Sequence, residues 1–587
     1  MSAMYTLAPN DSALNHSAGS SANFADDGAE KTYSERSSFA ASQTGRKRRS
    51  PWIWIAGAAA AVVIILAAVL GGVLGSRANN DNKTNSVKTH VGTSGAGGAA
   101  AVSVGSASSS AAATAPAGAK LVDIVDLPAW NWGQNKSIGM CLGNWLQIEP
   151  WMDPEWFNGT VNAVQPGAAA TTVDEWTFME VLGQERGKAA LEEHFNTWIT
   201  ESDIETMFQY GINHLRIPVP FWAWIPTVGN EPYLNDTSVY QAQLERVLGY
   251  AYARGMYAII DCHSMPGSQN GEESSGHVTT TPSWFGGSAD TETPDQIRSD
   301  QMVVTITEWL ATNPYRSVVT GIEVINEPRP YTPAQIDQLR NYYERSYATI
   351  QKSAWPVATF LHNGYTNLTF WESFAADHAT SPPSMVMVDH PYPGNFPPQT
   401  DASGILNQVC EAADRYLNYP IPICIDEWSI YTGVKDQTFE KQFYEQQLVT
   451  WAWSAGGMYW SWKVKTSAQD LAQGLDYSQY SFVTLIGNNS ATIDKPSAFG
   501  QNGTTTLDGA NAYLSGLAAQ ISPSCGPAPS NVAPYATGSV SSWSAEQSAR
   551  TSAAGQTMTA TVTTSTASAT ATSTATARAK RAVPMRV

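Results

Sequence analysis

Eight short apolar runs recur along the middle of the chain, and this repetition constrains the fold more than any other feature. Gly, Pro or polar residues bound each run, and most runs are separated by stretches long enough for a helix. The pattern predicts an α/β fold, and eight units predict a (β/α)8 TIM barrel; a doubly wound sheet is the alternative. The predicted strands are Ile138–Leu142, His214–Ile217, Tyr257–Cys262, Ile322–Ile325, Val357–Leu361, Met385–Val388, Ile421–Ile425 and Gly457–Trp462.

Composition divides the chain into one aromatic-rich middle and two flanks. The flanks are dominated by Ala, Ser, Thr and Gly, which cannot bury enough apolar surface to offset chain entropy, so we predict them to be disordered. We expect a cytoplasmic tail over 1–51, a transmembrane helix over 52–74, a Ser/Ala/Gly-rich stalk over 75–128, the barrel over 129–525 and a Ser/Thr-rich tail over 526–587.

The run from Trp52 to Leu74 holds 23 residues without a charge, which is long enough to cross a bilayer. It follows the basic cluster Arg46–Arg49 and has no small-residue cleavage site, which indicates a retained signal-anchor rather than a removed leader. We therefore expect a single-pass type II protein of the cell membrane with the barrel on the extracellular side. This topology fits a glycoprotein with sequons at Asn82, Asn135, Asn158, Asn235, Asn367, Asn488 and Asn502.

Charge and cysteine content narrow the possible partners. The chain has 33 basic and 51 acidic residues and a net charge of −18, so its surface repels phosphate backbones and no nucleic acid partner is expected. The five cysteines show no CxxC spacing of the kind that binds zinc. Cys410 and Cys525 are the candidate disulfide, whereas Cys141, Cys262 and Cys424 stand in apolar runs and are predicted to be buried thiols.

Two glutamates follow predicted strands four and seven. Glu327 stands after Ile322–Ile325 and is followed by Pro328, and Glu427 stands after Ile421–Ile425. A barrel brings its carboxyl strand ends to one face, where its active site lies. Each residue alone reads as an exposed loop acid, but cleavage of a glycosidic bond needs one protonated and one ionised carboxyl group. We therefore predict that Glu327 and Glu427 are the catalytic pair.

Other polar residues follow the second, third and sixth predicted strands. Arg216 can keep a neighbouring carboxylate ionised through paired hydrogen bonds, although a structural ion pair is the alternative. His263, His390 and Tyr392 can orient a nucleophile or bind sugar hydroxyls, although each alone also fits a core position.

The eighth predicted strand carries two indoles. A period of two places Trp460 and Trp462 on the same side, facing the barrel mouth or its interior. We predict Trp462 to be the sugar platform because it is nearer the carboxyl end, and the alternative is that both fill the barrel.

Seven segments together resemble glycoside hydrolase family 5 and, within it, the fungal exo-β-1,3-glucanases (glucan 1,3-β-glucosidases), including their type II membrane-anchored members. The resemblance covers about 130–525, two-thirds of the chain. The segments are Leu142–Pro150, Thr197–Glu201, Gly211–Trp222, Pro266–Gly271, Ile325–Pro328, Asp426–Trp428 and Trp460–Lys463.

The resemblance implies a retaining mechanism without metal or cofactor, in which Glu327 is the acid/base and Glu427 the nucleophile, with their carboxyl groups roughly 5 Å apart. It implies that Asn326 contacts the sugar 2-hydroxyl and that Arg216 and Tyr392 support Glu427. It further implies that the first sugar subsite is lined by Glu149, His263, His390 and Trp462.

The chain departs from the family at the entrance. Glu272-Glu273 follows the Pro266–Gly271 segment where the family has Phe then Asp or Asn, so we expect an aromatic entrance clamp to be lost. Our leading hypothesis is a monomeric exo-enzyme that releases glucose from β-1,3-glucan during wall remodelling. The alternatives are the same chemistry on β-1,6-glucan, another β-glucoside or a glucosylated lipid, or a non-catalytic glucan-binding or wall-anchoring protein.

Overall fold

The computed structural model describes residues 124–288, 290–487, 491–496, 506–520 and 525–526. The predicted transmembrane helix, nearly all of the stalk and nearly all of the C-terminal tail lie outside these residues. Across the described part of the chain, the search for a helix with the length and apolar character of a membrane span finds none.

Eight parallel strands close into a barrel in chain order, with β1 paired to both β2 and β8. This confirms the predicted barrel and excludes the doubly wound sheet, which is open. The strands are β1 Ser137–Cys141, β2 His214–Pro220, β3 Tyr257–Ser264, β4 Val319–Glu323, β5 Ala358–His362, β6 Met385–Val388, β7 Ile423–Trp428 and β8 Gly456–Tyr459.

Helices follow the strands, and local sequence sets where several of them begin. Thr293 and Thr332 each accept a backbone N–H in a capping box, and Pro294 and Pro333 occupy the first turn, where a missing N–H costs nothing. The α-helices of the described residues are Pro154–Val164, Glu175–Trp198, Glu201–Gln209, Thr237–Tyr252, Pro294–Thr312, Pro333–Lys352, Glu372–Asp377, Ala402–Tyr416, Gln437–Trp451, Ala468–Ala472, Phe482–Leu485 and Thr506–Gln520.

Aromatic side chains close the amino end of the barrel. The ring of Trp130 lies 4.3 Å from His214 and 5.1 Å from Tyr257, and the ring of Trp132 lies 4.9 Å from Phe360. The Trp132 indole N–H also donates to the Thr320 carbonyl. With this end filled, the open end lies at the carboxyl ends of the strands.

The predicted disulfide is present between Cys410 and Cys525, whose Cα atoms are 5.1 Å apart. It ties helix Ala402–Tyr416 to a position 115 residues later in the chain. Cys141, Cys262 and Cys424 are buried free thiols, as predicted.

Gly321 tests how tightly the barrel interior is packed. A Cβ at this position would lie 2.4 Å from a ring carbon of buried Phe360 and 2.9 Å from Ile259 Cγ2. Because neither strand can withdraw without breaking its ladder, we expect Gly321→Ala to lower the free energy of unfolding by about 1–3 kcal/mol in urea denaturation.

Gly159→Ala is the matched control, since an added Cβ meets no atom within 4 Å on helix Pro154–Val164. We expect this change to raise the free energy of unfolding by up to about 1 kcal/mol. Equal unfolding curves for the two variants would contradict the close packing inferred at Gly321.

Candidate active site

One arginine at the top of the barrel interior gathers the polar groups of the site. Arg216 on β2 is completely buried. Its Nη1 donates to Glu427 Oε1 at 2.6 Å, and its Nη2 donates to Asn326 Oδ1 at 2.8 Å. Its Nε donates to Glu323 Oε2 at 2.8 Å, and Nη2 lies 3.1 Å from Asp261 Oδ2. The guanidinium therefore fixes groups from β3, β4 and β7 in one plane.

Glu323 and Asp426 complete this charged layer. Asp426 Oδ2 lies 3.3 Å from Arg216 Nε. Burial raises the pKa of Glu323 well above its usual range, and Asp426 and Asp261 add to the rise while Arg216 opposes it. Burial also raises the pKa of Asp426, but Arg216, His390 and a hydrogen bond from Glu323 outweigh it and hold that pKa below its ordinary value. Glu323 is therefore the member of this layer that carries a proton.

The two predicted catalytic glutamates face each other across His390. Its Nδ1 lies 2.8 Å from Glu327 Oε1 and 3.6 Å from Glu427 Oε2, so one atom contacts both carboxylates. Its Nε2 lies 2.9 Å from Asp426 Oδ1. The Tyr392 hydroxyl donates to Glu427 Oε2 at 2.9 Å. The structure thus brings together both predicted carboxylates, His390, Tyr392 and Arg216.

The charge of His390 sets the charges of its neighbours. Burial by itself lowers the pKa of His390, but Glu427, Asp426 and Glu327 raise it well above its ordinary value. Burial raises the pKa of Glu327, but the hydrogen bond and charge of His390 reverse this and hold it well below its usual range. Burial raises the pKa of Glu427 above its ordinary value, against the pull of His390 and Arg216 and with a contribution from Glu327.

Glu149 and His263, the next two predicted site residues, lie on one side of this group. His263 Nε2 lies 4.0 Å from Glu149 Oε1, and its Nδ1 lies 2.6 Å from Asp261 Oδ2. The Trp151 indole N–H donates to Glu149 Oε2 at 2.9 Å. Burial raises the pKa of Glu149 to about 7, although His263 and Trp151 oppose the shift. Glu149 therefore changes its protonation state near neutral pH, and a polar ligand bound beside it would favour either the protonated or the ionised form.

The backbone after β4 presents Asn326 and Glu327. Asn326 donates its N–H to the Cys262 carbonyl, and Gln269 Nε2 donates to the Asn326 carbonyl at 2.9 Å. The Asn326 amide nitrogen has no protein partner among the described residues, which leaves its N–H donors for a ligand. Glu327 has φ 45°, in the left-handed region that costs a non-glycine residue energy and is enriched at functional sites.

Comparisons with known proteins identify the family of this chain. The family model "Cellulase (glycosyl hydrolase family 5)" matches residues 180–466. "Probable glucan 1,3-beta-glucosidase A" of Aspergillus terreus is 30% identical over a 391-residue alignment that covers 59% of this chain and 87% of that protein. The chain belongs to glycosyl hydrolase family 5. It is therefore a glycoside hydrolase, and the carboxylates around His390 lie at the mouth of its barrel.

Two further matches extend this picture. "Glucan 1,3-beta-glucosidase 1" of Schizosaccharomyces pombe is 30% identical over a 367-residue alignment that covers 57% of this chain and 85% of that protein. The crystal structure of rutinosidase from Aspergillus niger aligns with a TM-score of 0.50 and 23% identity, over 58% of this chain and 93% of that one. At that identity the structural match supports the fold alone.

The structure corrects the placement of one predicted residue of this family 5 site. Trp462 does not face the mouth, because its indole N–H donates to Asp203 Oδ1 and its ring packs on Phe482. The strand ends at Tyr459, so its period of two does not continue to Trp462. Trp460 lies in the site instead.

Trp460 lies beside His263 in the site. Its ring is parallel to His263, with an interplanar angle of 5° and centroids 5.6 Å apart. It packs with the barrel interior rather than with the outer helices. Sequence reasoning placed the two tryptophans on one face and chose the wrong one, because the end of the strand carries no signal in the sequence.

An ion pair and a tyrosine occupy the entrance where the sequence lacks an aromatic clamp. Glu272 Oε1 lies 2.9 Å from Arg329 Nη2, and the Arg329 guanidinium lies 4.8 Å from the ring centre of Tyr365. Tyr365, with 47% of its surface exposed, also makes a side-chain hydrogen bond with Glu327. Phe396, 45% exposed, stands beside Tyr392. Aromatic surface is therefore present at the mouth, but it comes from the segments after β5 and β6.

The two tryptophans give a direct test of this corrected placement. We expect Trp460→Ala to lower kcat/KM at least tenfold on a glucoside substrate, because it removes the apolar face beside His263. We expect Trp462→Ala to lower the free energy of unfolding by about 3–5 kcal/mol, because it empties a buried site, with little change in kcat/KM per folded molecule. Both variants would be compared by steady-state kinetics and urea denaturation. A loss of kcat/KM in Trp462→Ala without a loss of stability would contradict the placement.

Proposed function

We propose that this barrel is a retaining glucan 1,3-β-glucosidase that releases glucose from the non-reducing ends of β-glucan. The observation that carries the proposal is the contact of His390 Nδ1 with both carboxylates, at 2.8 Å to Glu327 and 3.6 Å to Glu427. Such a shared contact favours the separation of about 5–5.5 Å found in retaining enzymes over the wider gap of about 6.5–9.5 Å that holds a water in inverting ones.

Glu427 is proposed as the nucleophile because its neighbours hold it in place and because Arg216 and His390 favour its ionised form against the effect of burial. Arg216 Nη1 and the Tyr392 hydroxyl each donate to one of its oxygens. In the first step a Glu427 oxygen forms a bond to the anomeric carbon while the bond from that carbon to the leaving oxygen breaks. As charge leaves the carboxylate for the new bond, Arg216 remains paired with Asp261 and Asp426.

Glu327 is proposed as the acid/base. The 2.8 Å between Glu327 Oε1 and His390 Nδ1 lets one proton lie on either atom, so the pair supplies it to the leaving oxygen through Glu327. In the second step Glu327 takes a proton from water, whose oxygen attacks the anomeric carbon and releases Glu427. Net retention follows from the two displacements.

The proposed substrate rests on the two relatives named glucan 1,3-beta-glucosidase and on the polar pocket beside the carboxylates. Glu149, His263 and Asn326 offer acceptors and donors for one sugar ring, and Trp460 offers an apolar face. A single enclosed sugar ring at this position fits release of glucose. Action on a β-1,6-linked glucan or another β-glucoside uses the same groups and is an outcome of the test below.

The proposed location is the outer face of the cell membrane, where the enzyme remodels wall glucan. This rests on the uncharged run over 52–74 and the basic cluster before it. The disulfide between Cys410 and Cys525 supports it, because such bonds persist in oxidising compartments.

The chemical proposal is tested by glucose release from laminarin with Glu427→Gln and Glu327→Gln. We expect each change to lower turnover at least a thousandfold, with the parent releasing β-glucose first by NMR. With an activated aryl β-glucoside, Glu327→Ala should keep its first step, because a good leaving group needs no proton, whereas Glu427→Ala should lose it.

Glu193→Gln is the control, since Glu193 is exposed on helix Glu175–Trp198. A folded parent that turns over none of a panel of β-1,3-, β-1,6- and β-1,4-linked glucans and aryl β-glucosides would refute the proposal and favour a glucan-binding protein. Prompt α-glucose would refute retention alone.

The proposed location is tested by expressing the full chain in a fungal host and extracting membranes with alkaline carbonate. We expect the protein to stay in the membrane pellet and external protease to digest it on intact protoplasts. A variant in which residues 1–74 are replaced by a secretion signal should appear in the medium with unchanged kcat/KM. Recovery of the full chain in the carbonate supernatant would contradict the anchor.

A further inference from the structure

His362 lies at the end of β5, beside the proposed acid/base, and has no part in the roles described so far. It is completely buried. Its ring lies 4.6 Å from the ring of His390 at an angle of 78°, and 5.1 Å from the ring of Tyr365. A ring nitrogen of His362, a ring nitrogen of His390 and a carboxylate oxygen of Glu327 all lie within 4.8 Å of one another.

The hydrogen bonds of His362 fix its tautomer. The Gly364 N–H donates to His362 Nδ1 at 3.0 Å, so this nitrogen keeps its lone pair. Burial holds the pKa of His362 well below its ordinary value, with His390 adding to the shift, so the ring is neutral. The single ring proton must therefore be on Nε2.

His362 Nε2 is buried and has no hydrogen-bond partner among the described residues. A buried N–H donor without a hydrogen-bond acceptor is costly, and a negative charge close by lowers that cost. Glu327 is the carboxylate whose oxygen lies within 4.8 Å of a His362 ring nitrogen. A metal ion does not fit this position. Coordination at Nε2 would move the ring proton to Nδ1, and the Nδ1–H and the Gly364 N–H would then be two donors facing each other without an acceptor. The group therefore acts as a fixed N–H donor.

We propose that His362 is a positioning residue for the acid/base: its neutral imidazole presents a permanent Nε2–H donor that stabilises the ionised form of Glu327. The catalytic importance of His362 rests on the proposed function, but its effect on the pKa of Glu327 does not. A neutral donor stabilises the carboxylate without adding a second positive charge beside His390. It thus limits the Glu327–His390 pair to one mobile proton.

Other charged and titratable groups also act on Glu327. His390 and Tyr365 form hydrogen bonds with Glu327, and both favour its ionised form. Glu427 repels it from across the gap. Glu149, Arg329 and Tyr392 also interact with it electrostatically. Because His390 and Tyr365 also contact the ring of His362, a shift at Glu327 is assigned to the lost donor only if a variant that keeps an N–H at this position does not show it.

Three substitutions separate the effect of the Nε2–H donor from the effect of the side chain on folding. His362→Gln can place an amide N–H near the Nε2 position, His362→Asn can keep an acceptor for Gly364 but falls short of Nε2, and His362→Phe fills the space with neither. Loss of a donor to a carboxylate raises its pKa, so we expect the alkaline limb of kcat/KM to move up by about one pH unit in the Asn and Phe variants. The Gln variant should keep the parent's limb.

A readout without turnover keeps the test independent of the substrate. In 13C-glutamate NMR, the Glu327 carboxyl signal, assigned by its loss in Glu327→Gln, should titrate at higher pH in His362→Asn and His362→Phe than in the parent and His362→Gln. If all variants titrate alike, or if Gln shifts as Phe does, His362 is structural and the inference is overturned. If the parent hydrolysed none of the glycosides, the proposed function would be refuted. The NMR titration would still decide whether His362 stabilises the ionised form of Glu327.

Discussion

The buried guanidinium of Arg216 is the interaction on which the rest of the site depends. It contacts Glu427, Glu323, Asp261 and Asp426, and all five side chains are buried. Removing one partner from such a cluster leaves a buried charge without compensation, which costs about 3–5 kcal/mol, whereas apolar replacement of a whole cluster is often tolerated. Stability alone therefore does not explain the cluster. Its consequence is positional, because it ties β2 to β3, β4 and β7 at the height where the barrel opens.

The protonation of Glu323 also determines how this layer orients His390. The layer holds more carboxyl groups than cations, so a neutral member lowers the repulsion among them. Glu323 takes that part because burial, Asp426 and Asp261 together raise its pKa against the pull of Arg216. Asp426 is then free to fix His390 through Nε2, and His390 in turn presents Nδ1 to both glutamates. The orientation of the imidazole between the carboxylates thus follows from a proton two residues away in the network.

The sequence predicted the strand pattern and the two carboxylates because both leave local signals. Apolar runs mark strands, and glutamates directly after them mark the mouth. The fourth strand was placed late, at 322–325 instead of Val319–Glu323, because Val324 and Ile325 are apolar but pack outside the barrel. That shift concealed Glu323, which reads as an interruption of an apolar run and in fact points inward to Arg216.

Other features left no local signal. The choice between Trp460 and Trp462 depends on where the last strand ends, and the tautomer of His362 depends on one backbone N–H from Gly364. The disulfide was predictable because burial in apolar runs excluded three of the five cysteines. What sequence reasoning found was the set of side chains at strand ends, and what it missed were choices fixed by packing across the barrel.

The entrance shows how substrate recognition and acid strength are linked in this chain. Tyr365 is exposed at the mouth, where a leaving group must pass, and its side chain also bonds Glu327. Arg329 covers the ring of that tyrosine and pairs with Glu272. We expect a leaving group that packs on Tyr365 to displace water from a carboxyl group whose pKa depends on its donors. Because loss of water disfavours a carboxylate, binding at the entrance would favour the protonated, neutral form of Glu327. In the proposed mechanism Glu327 would then hold its proton when a leaving oxygen is in place to receive it.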